Sequence, residues 1–129
     1  KSIDEIFKNQ KDKIIRLAES IKNIKRNKGK IIIFGNGGSA ATASHFSVDL
    51  TKNAKIRAIN FNEADLITCL SNDYGHDNWV KKAIEFYIDK NDLVILISTS
   101  GNSKNVINAA KFLKKKKIFF FFSNWNEKK

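Results

Sequence analysis

The run Lys30-Ile31-Ile32-Ile33-Phe34-Gly35-Asn36-Gly37-Gly38-Ser39 decides how this chain is read. Four consecutive β-branched or aromatic residues, Ile31 to Phe34, predict a strand buried on both faces, because a strand wet on one face would alternate apolar and polar residues. Gly35, Gly37 and Gly38 then break it. Ser39 to Leu50 (Ser39-Ala40-Ala41-Thr42-Ala43-Ser44-His45-Phe46-Ser47-Val48-Asp49-Leu50) reads as the helix that follows. Strand, glycine turn and helix N-terminus in that order make an anion site. Glycine lets the backbone approach the ligand, the first-turn N–H groups lack partners, and the helix dipole favours negative charge. Ile97-Ser98-Thr99-Ser100-Gly101-Asn102-Ser103 repeats the design with hydroxyls in place of glycines. The two loops are expected to share one phosphorylated ligand.

Upstream, Ser2-Ile3-Asp4-Glu5 has the capping-box spacing. Ile3, Ile6, Phe7, Ile14, Leu17, Ala18, Ile21 and Ile24 recur at three and four residues, so a long helix is predicted over residues 1–29, ending near Gly29. Its apolar stripe is expected to cover the sheet or a partner subunit. Downstream, residues 55–60 predict a second, weaker strand. Asn62 is expected to cap a short helix carrying Ala64, Leu66, Ile67 and Leu70. A polar turn, Ser71-Asn72-Asp73-Tyr74-Gly75, leads to a helix with Trp79, Val80, Ala83, Ile84 and Tyr87 on its apolar face. Residues 92–97 read as a second fully buried strand, Ser103 to about Leu113 as a helix, and 117–122 as a fourth strand. Strands alternating with helices predict an α/β domain, a three-layer sandwich around a parallel sheet with right-handed crossovers. The whole of 1–129 is expected to be one domain, a helix over 1–29 and a parallel α/β core over 30–129. The last strand has no helix after it and four strands make a small sheet, so the core reads as incomplete, with its C-terminal part missing.

The 42% hydrophobic and 29% charged residues are ordinary for a globular protein. No apolar run approaches the ~20 residues that span a bilayer, so no membrane association is expected. A single cysteine, Cys69, cannot form an internal disulfide, which points to the cytoplasm; Cys69 itself is expected to be buried. The net charge of +11 sits at the ends: residues 1–30 hold ten basic and four acidic residues and 111–129 seven and one, leaving seven and eight between. A nucleic-acid binder concentrates charge on its reading surface, often as arginine, whereas the excess here is mostly lysine on end segments. Nucleic acid is not an expected partner.

Gly35-Asn36-Gly37-Gly38-Ser39-Ala40 formally fits the dinucleotide fingerprint, with Glu63 available as its acidic residue. The hydroxyl loop argues against a nucleotide. Ser98, Thr99, Ser100 and Ser103 crowd one helix start; capping accounts for one or two of them, while the terminal oxygens of a phosphate monoester need several converging donors. A phosphomonoester is therefore the expected ligand, with no nucleotide. His45 and Asp49 are four apart and share a helix face just past the glycine loop.

Gly35-Asn36-Gly37-Gly38-Ser39, His45-Phe46, Asp49-Leu50-Thr51, Asn72-Asp73-Tyr74-Gly75 and Ile97-Ser98-Thr99-Ser100-Gly101-Asn102-Ser103 together resemble the sugar isomerase (SIS) domain, and within it most closely the phosphoheptose isomerases. The resemblance spans nearly the whole chain in order. It implies a flavodoxin-like, Rossmann-like fold and the interconversion of sedoheptulose 7-phosphate and D-glycero-D-manno-heptose 7-phosphate for surface polysaccharide. It implies that Gly37, Gly38, Ser39, Ser98, Thr99, Ser100 and Ser103 hold the phosphate and that Asn36 and Asp73 contact sugar hydroxyls. The family's catalytic glutamate falls on Asp49, one methylene shorter. His45 matches a histidine that ligates zinc in zinc-binding members, which makes His45 and Asp49 the expected metal ligands. The family's sites lie between subunits, so a homo-oligomer, dimer or tetramer, is implied. A final helix supplying a glutamine and a second histidine has no counterpart here. The other class of function the residues admit is a SIS-type regulator or partner-binding scaffold that holds a phosphosugar without converting it.

Overall fold

The computed structural model describes residues 3–124. Ser2 of the expected capping box, and the side chains of Ile3, Ile6 and Phe7, lie outside the described part. In chain order the elements are α1 (Ile3–Arg26), β1 (Ile31–Gly35), α2 (Gly38–Lys52), β2 (Ala58–Ile59), α3 (Ala64–Tyr74), α4 (Trp79–Tyr87), β3 (Leu93–Ser98), α5 (Lys104–Lys115) and β4 (Phe120–Asn124). The strands form one sheet in the order β2-β1-β3-β4, every pair parallel. From β1 the chain steps one way to β2, then back past β1 to β3. The order therefore reverses between β1 and β3, which is where an open parallel sheet parts its loops to admit a ligand.

The apolar runs work as the sequence predicts, since successive side chains of a strand face opposite ways. Ile32, Phe34, Val94 and Leu96 enter one core with Leu70, Trp79, Val80, Ala83, Ile84, Val106, Ala109 and Leu113 of α3, α4 and α5. Ile31, Ile33, Leu93 and Ile95 enter the other with Ala43 and Leu50 of α2 and with Leu17, Ile21 and Ile24 of α1. These are the three expected layers. The second half of the α1 stripe covers the sheet, whereas Ile14 and Ile15 stay exposed.

Three boundaries differ from expectation, each for a local reason. The strand expected over 55–60 shrinks to Ala58–Ile59, because Lys55 turns left-handed (φ 56°) and Ile56 N–H goes to the Leu50 carbonyl at 3.0 Å. The strand expected from residue 117 starts at Phe120, since α5 ends in a left-handed Lys117 (φ 57°) with Ile118 N–H on the Leu113 carbonyl. Glycine suits that position and lysine does not. Lys117→Gly is expected to raise stability by about 0.5–1 kcal/mol, read as a higher urea midpoint at unchanged m. Third, the expected turn over 71–75 is helical through Tyr74, and only Gly75 (φ 82°) leaves it, so Asp73 sits on the last turn of α3. Asn62 does not cap α3; Glu63 takes that place, and the Asn62 amide donates instead to the Ala40 carbonyl (2.9 Å) and Ser44 Oγ (2.8 Å) of α2. Cys69 is exposed rather than buried, 3.8 Å from an Asp73 carboxylate oxygen.

At the opposite end of the sheet from the glycine loop, Lys30 precedes β1 and Asp92 precedes β3. The Asp92 carboxylate is almost wholly buried (1% exposed) and accepts from Lys30 N–H (2.9 Å), Asp89 N–H (2.8 Å) and the Lys30 ammonium.

Candidate functional site

Gly35 ends β1 because α2 begins directly over it. A Cβ there would lie 2.6 Å from the Ser39 carbonyl carbon and oxygen, so only glycine lets helix and strand close together. Gly37 then takes φ 54° and ψ −121°, a conformation in practice reserved for glycine, and stands at the N-terminus of α2. The first turn closes tightly: Ser39 N–H bonds to the Asn36 carbonyl (2.9 Å), and the N–H groups of Ala40 and Ala41 bond to that of Gly37 (3.0 and 3.2 Å). The N–H groups of Gly37 and Gly38 take no part in these turn bonds.

The hydroxyl loop is held by its own side chains. Ser98 is buried; its Oγ accepts from Gly101 N–H (3.1 Å) and donates to Ser103 Oγ (3.4 Å). Ser100 Oγ accepts from Asn102 N–H (3.2 Å). Ser103 stands at the N-terminal boundary of α5 without a side-chain capping bond, so plain capping does not explain its hydroxyl. The two loops meet across the β1/β3 switch point. Ser39 Oγ and Thr99 Oγ1 are 3.4 Å apart, and the amides of Asn36 and Asn105 exchange two hydrogen bonds of 2.9 and 3.0 Å.

Between them opens a crevice of about 620 Å³ whose polar rim is Asn36, Gly38, Ser39, Thr42, Ser98, Thr99 and Ser123, and whose apolar wall is Leu17, Phe46, Ile95, Ile97 and Phe121. Of the expected site residues, Asn36, Gly38, Ser39, Ser98 and Thr99 line it, and Ser103 touches it through Ser98. Gly37, Ser100, Asp73, His45 and Asp49 are not among its lining residues. His45 Nε2 lies 3.5 Å from Asp49 Oδ2, on side chains 82% and 49% exposed, and Asp49 Oδ1 accepts from the Asn53 amide at 3.2 Å. Thr42 and Phe46 line the crevice, and Asp49, seven residues beyond Thr42, continues their stripe along α2. Among the described residues no three His, Cys, Asp or Glu side chains come together. The pair His45–Asp49 supplies two of the three protein groups a zinc ion usually takes, so the described residues do not by themselves fit a resident metal.

Sequence reasoning overlooked Thr42 and Asn105. Asn105 had a signal: it shares the stripe of Ala109 and Leu113, and an amide in a core-facing stripe needs a partner.

A doubly wound parallel sheet with two hydroxyl- and glycine-rich loops meeting over a crevice at its switch point defines an open α/β domain of the ligand-binding type. The chain belongs to the SIS domain family, whose profile matches residues 1–118. Over 115 residues it is 40% identical to the phosphoheptose isomerase of Helicobacter pylori, covering 84% of this chain and 58% of that one. Over 111 residues it is 40% identical to the probable phosphoheptose isomerase of Thermoplasma acidophilum, covering 81% and 60%. The chain thus spans little more than half the length of these relatives. The structure of a phosphoheptose isomerase from Neisseria gonorrhoeae superposes with a TM-score of 0.86 at 33% identity, over 94% of this chain and 66% of that one. One from Francisella tularensis (TM-score 0.71, 23% identity, over 95% and 73%) shares the fold.

Proposed function

We propose that this domain belongs to an isomerase that interconverts sedoheptulose 7-phosphate and D-glycero-D-manno-heptose 7-phosphate, supplying heptose for surface polysaccharide. The observation that carries the reading is the meeting of the two loops, Ser39 Oγ against Thr99 Oγ1 at 3.4 Å, over a crevice at the sheet's switch point. Hydroxyls of Ser39, Ser98, Thr99, Ser100 and Ser103, with the N–H groups of Gly37 and Gly38, converge on the phosphate. Asn36 and Asp73 take sugar hydroxyls. The reaction moves a proton between adjacent carbons through an enediol, which needs a base beside the carbonyl end, and Asp49 fills that role with His45 next to it.

His45 and Asp49 face solvent, and Val48 beside them is exposed, as are Ile14 and Ile15 of α1. This arrangement suits a site completed by another copy of the chain, and a homo-oligomer is proposed on that ground. A zinc ion at His45 and Asp49 would need further ligands from outside the described residues, and no step is assigned to one. No helix among the described residues is long and apolar enough to cross a membrane. A cytoplasmic location is proposed from the single cysteine.

The test is a proton NMR time course in D2O with sedoheptulose 7-phosphate, with and without added zinc. Loss of the exchangeable carbon-bound proton with growth of an aldose signal is expected, and Asp49→Asn is expected to lower the rate by at least a hundredfold. Broadening of the phosphate resonance in phosphorus-31 spectra of the same samples, without proton exchange, would replace the isomerase by a phosphosugar-binding regulator. No change in either signal would remove the phosphosugar.

A further inference from the structure

Asn105 opens the buried stripe of α5 and is only 3% exposed. An amide so deep needs its donors and acceptors met, and two of its three bonds go to one residue on the other loop. Asn105 Oδ1 accepts from Asn36 Nδ2 at 2.9 Å, and Asn105 Nδ2 donates to Asn36 Oδ1 at 3.0 Å. A pair of amides joined head to tail in this way is unchanged if both flip together, so the pair alone would leave the direction of Asn36 undecided. A third bond decides it. Val106 N–H donates to Asn105 Oδ1 at 2.9 Å, and a backbone N–H cannot face an amide nitrogen. Val106 sets Asn105, and Asn105 sets Asn36.

Asn36 is exposed, lines the crevice, and after this pairing keeps one N–H and one oxygen lone pair to offer a ligand. We infer that Asn105 is a positioning residue: it clasps the glycine loop to the start of α5 and presents the Asn36 amide in one fixed sense, so that Asn36 reads a hydroxyl of the bound sugar, not its phosphate. The inference rests on the phosphosugar reading of the crevice. Phosphate is served by loop hydroxyls and backbone N–H groups, none of which the Asn105 amide engages. A lost clasp therefore weakens recognition of the sugar and spares that of the phosphate.

The experiment has a ligand-free arm and a binding arm. In the free protein the Asn36 side-chain NH2 is expected to show one proton shifted and slowed in exchange, and Asn105→Ala to erase that signature. An unchanged signature overturns the clasp whatever the ligand does. In the binding arm, calorimetry compares sedoheptulose 7-phosphate with inorganic phosphate. Asn105→Ala is expected to weaken the sugar phosphate about tenfold and to leave inorganic phosphate within twofold, and the double variant with Asn36→Ala to bind no worse than Asn36→Ala alone. Equal weakening of both probes, or additive losses, overturns the positioning role and leaves Asn105 a structural residue. Asn105→Leu keeps the buried volume and gives the same split should the alanine variant fail to fold. Wild-type protein that shows the clasp but binds phosphate without preferring the sugar phosphate overturns the sugar-reading role and the phosphosugar reading together, and is told apart from a missing clasp by the first arm.

Discussion

Gly35→Ala is expected to lose about 3 kcal/mol of stability and, in the protein that remains folded, to lower phosphosugar turnover about a hundredfold. The added Cβ would sit 2.6 Å from the backbone carbonyl of Ser39, and backbone cannot swing aside as a flexible side chain can. The first turn of α2 must lift from the end of β1, carrying Ser39 away from Thr99. A shift of about 1 Å in a positioned group is enough for a loss of that order. Two neighbours are the controls. Gly37→Ala has open space around it but must hold φ 54°, so its cost is strain, about 1–3 kcal/mol. Gly38→Ala has neither problem; nothing lies within 4 Å of its Cβ, and Gly38 lines the crevice. Its fold is expected to be unharmed while its affinity for phosphate falls, because the methyl takes ligand space. Thermal melts and phosphate binding on the three variants check this order. If Gly38→Ala binds phosphate as the wild type does, the anion does not sit on the glycine loop.

The contrast among these glycines shows what the sequence could and could not disclose. Ile31 to Phe34 and Leu93 to Ile97 were legible because a strand buried on both faces has one signature, an unbroken apolar run, and runs of four and five residues rich in β-branched side chains are too short for a helix. The crevice was legible through concentration: three glycines after one strand and four hydroxyls after another drew attention to two loops, and the structure brings Ser39 of one against Thr99 of the other. Edges were harder. The β2 strand is an edge element of two residues, and Lys55 in a left-handed conformation leaves no mark that a lysine in a strand would not. Asp73 read as turn because Ser71-Asn72-Asp73 is rich in turn formers, yet the helix carries through to Tyr74 on the strength of Leu66, Ile67 and Leu70 packing behind it. Cys69 was misplaced for the converse reason, since a small residue in an apolar helix still has a wet side. Pairings such as Asn36 with Asn105, 69 residues apart, depend on which loops the sheet order brings together, and no local pattern carries that. His45 and Asp49 could be placed on one helix face from spacing alone, but their openness to solvent could not.

Asp92→Ala is expected to cost about 3 kcal/mol, lowering the melting temperature by roughly 10 °C, although residue 92 lies at the far end of the sheet from the crevice. The loss has two parts. Two backbone N–H groups, of Lys30 and Asp89, are left without their acceptor, and the Lys30 ammonium keeps only Asp89. Because β1 starts just after Lys30 and β3 just after Asp92, the carboxylate also sets the register in which the two central strands begin. Asp89→Ala is the contrast: its side chain is 82% exposed, and its pairing with Lys30 at 2.6 Å is screened by water, so a small effect is expected. The cluster adds a dependence on pH. Burial works against the Lys30 ammonium, but hydrogen bonds and charge from Asp89 and Asp92 outweigh it and raise the pKa above its usual value. A pKa raised by folding gives stability that is complete below the unfolded value of about 10.4 and disappears as pH climbs through the folded one. Asp89 behaves in the opposite sense: its hydrogen bond to Lys30 lowers its pKa, so its share is complete above about 3.9 and is lost as pH falls through the depressed value. Urea melts of wild type and Lys30→Met between pH 9 and 12 isolate the lysine from the others that titrate there. A steeper alkaline decline in the wild type is expected. Parallel curves would mean that the ammonium contributes nothing, and that Asp92 holds the strands through its two backbone bonds alone.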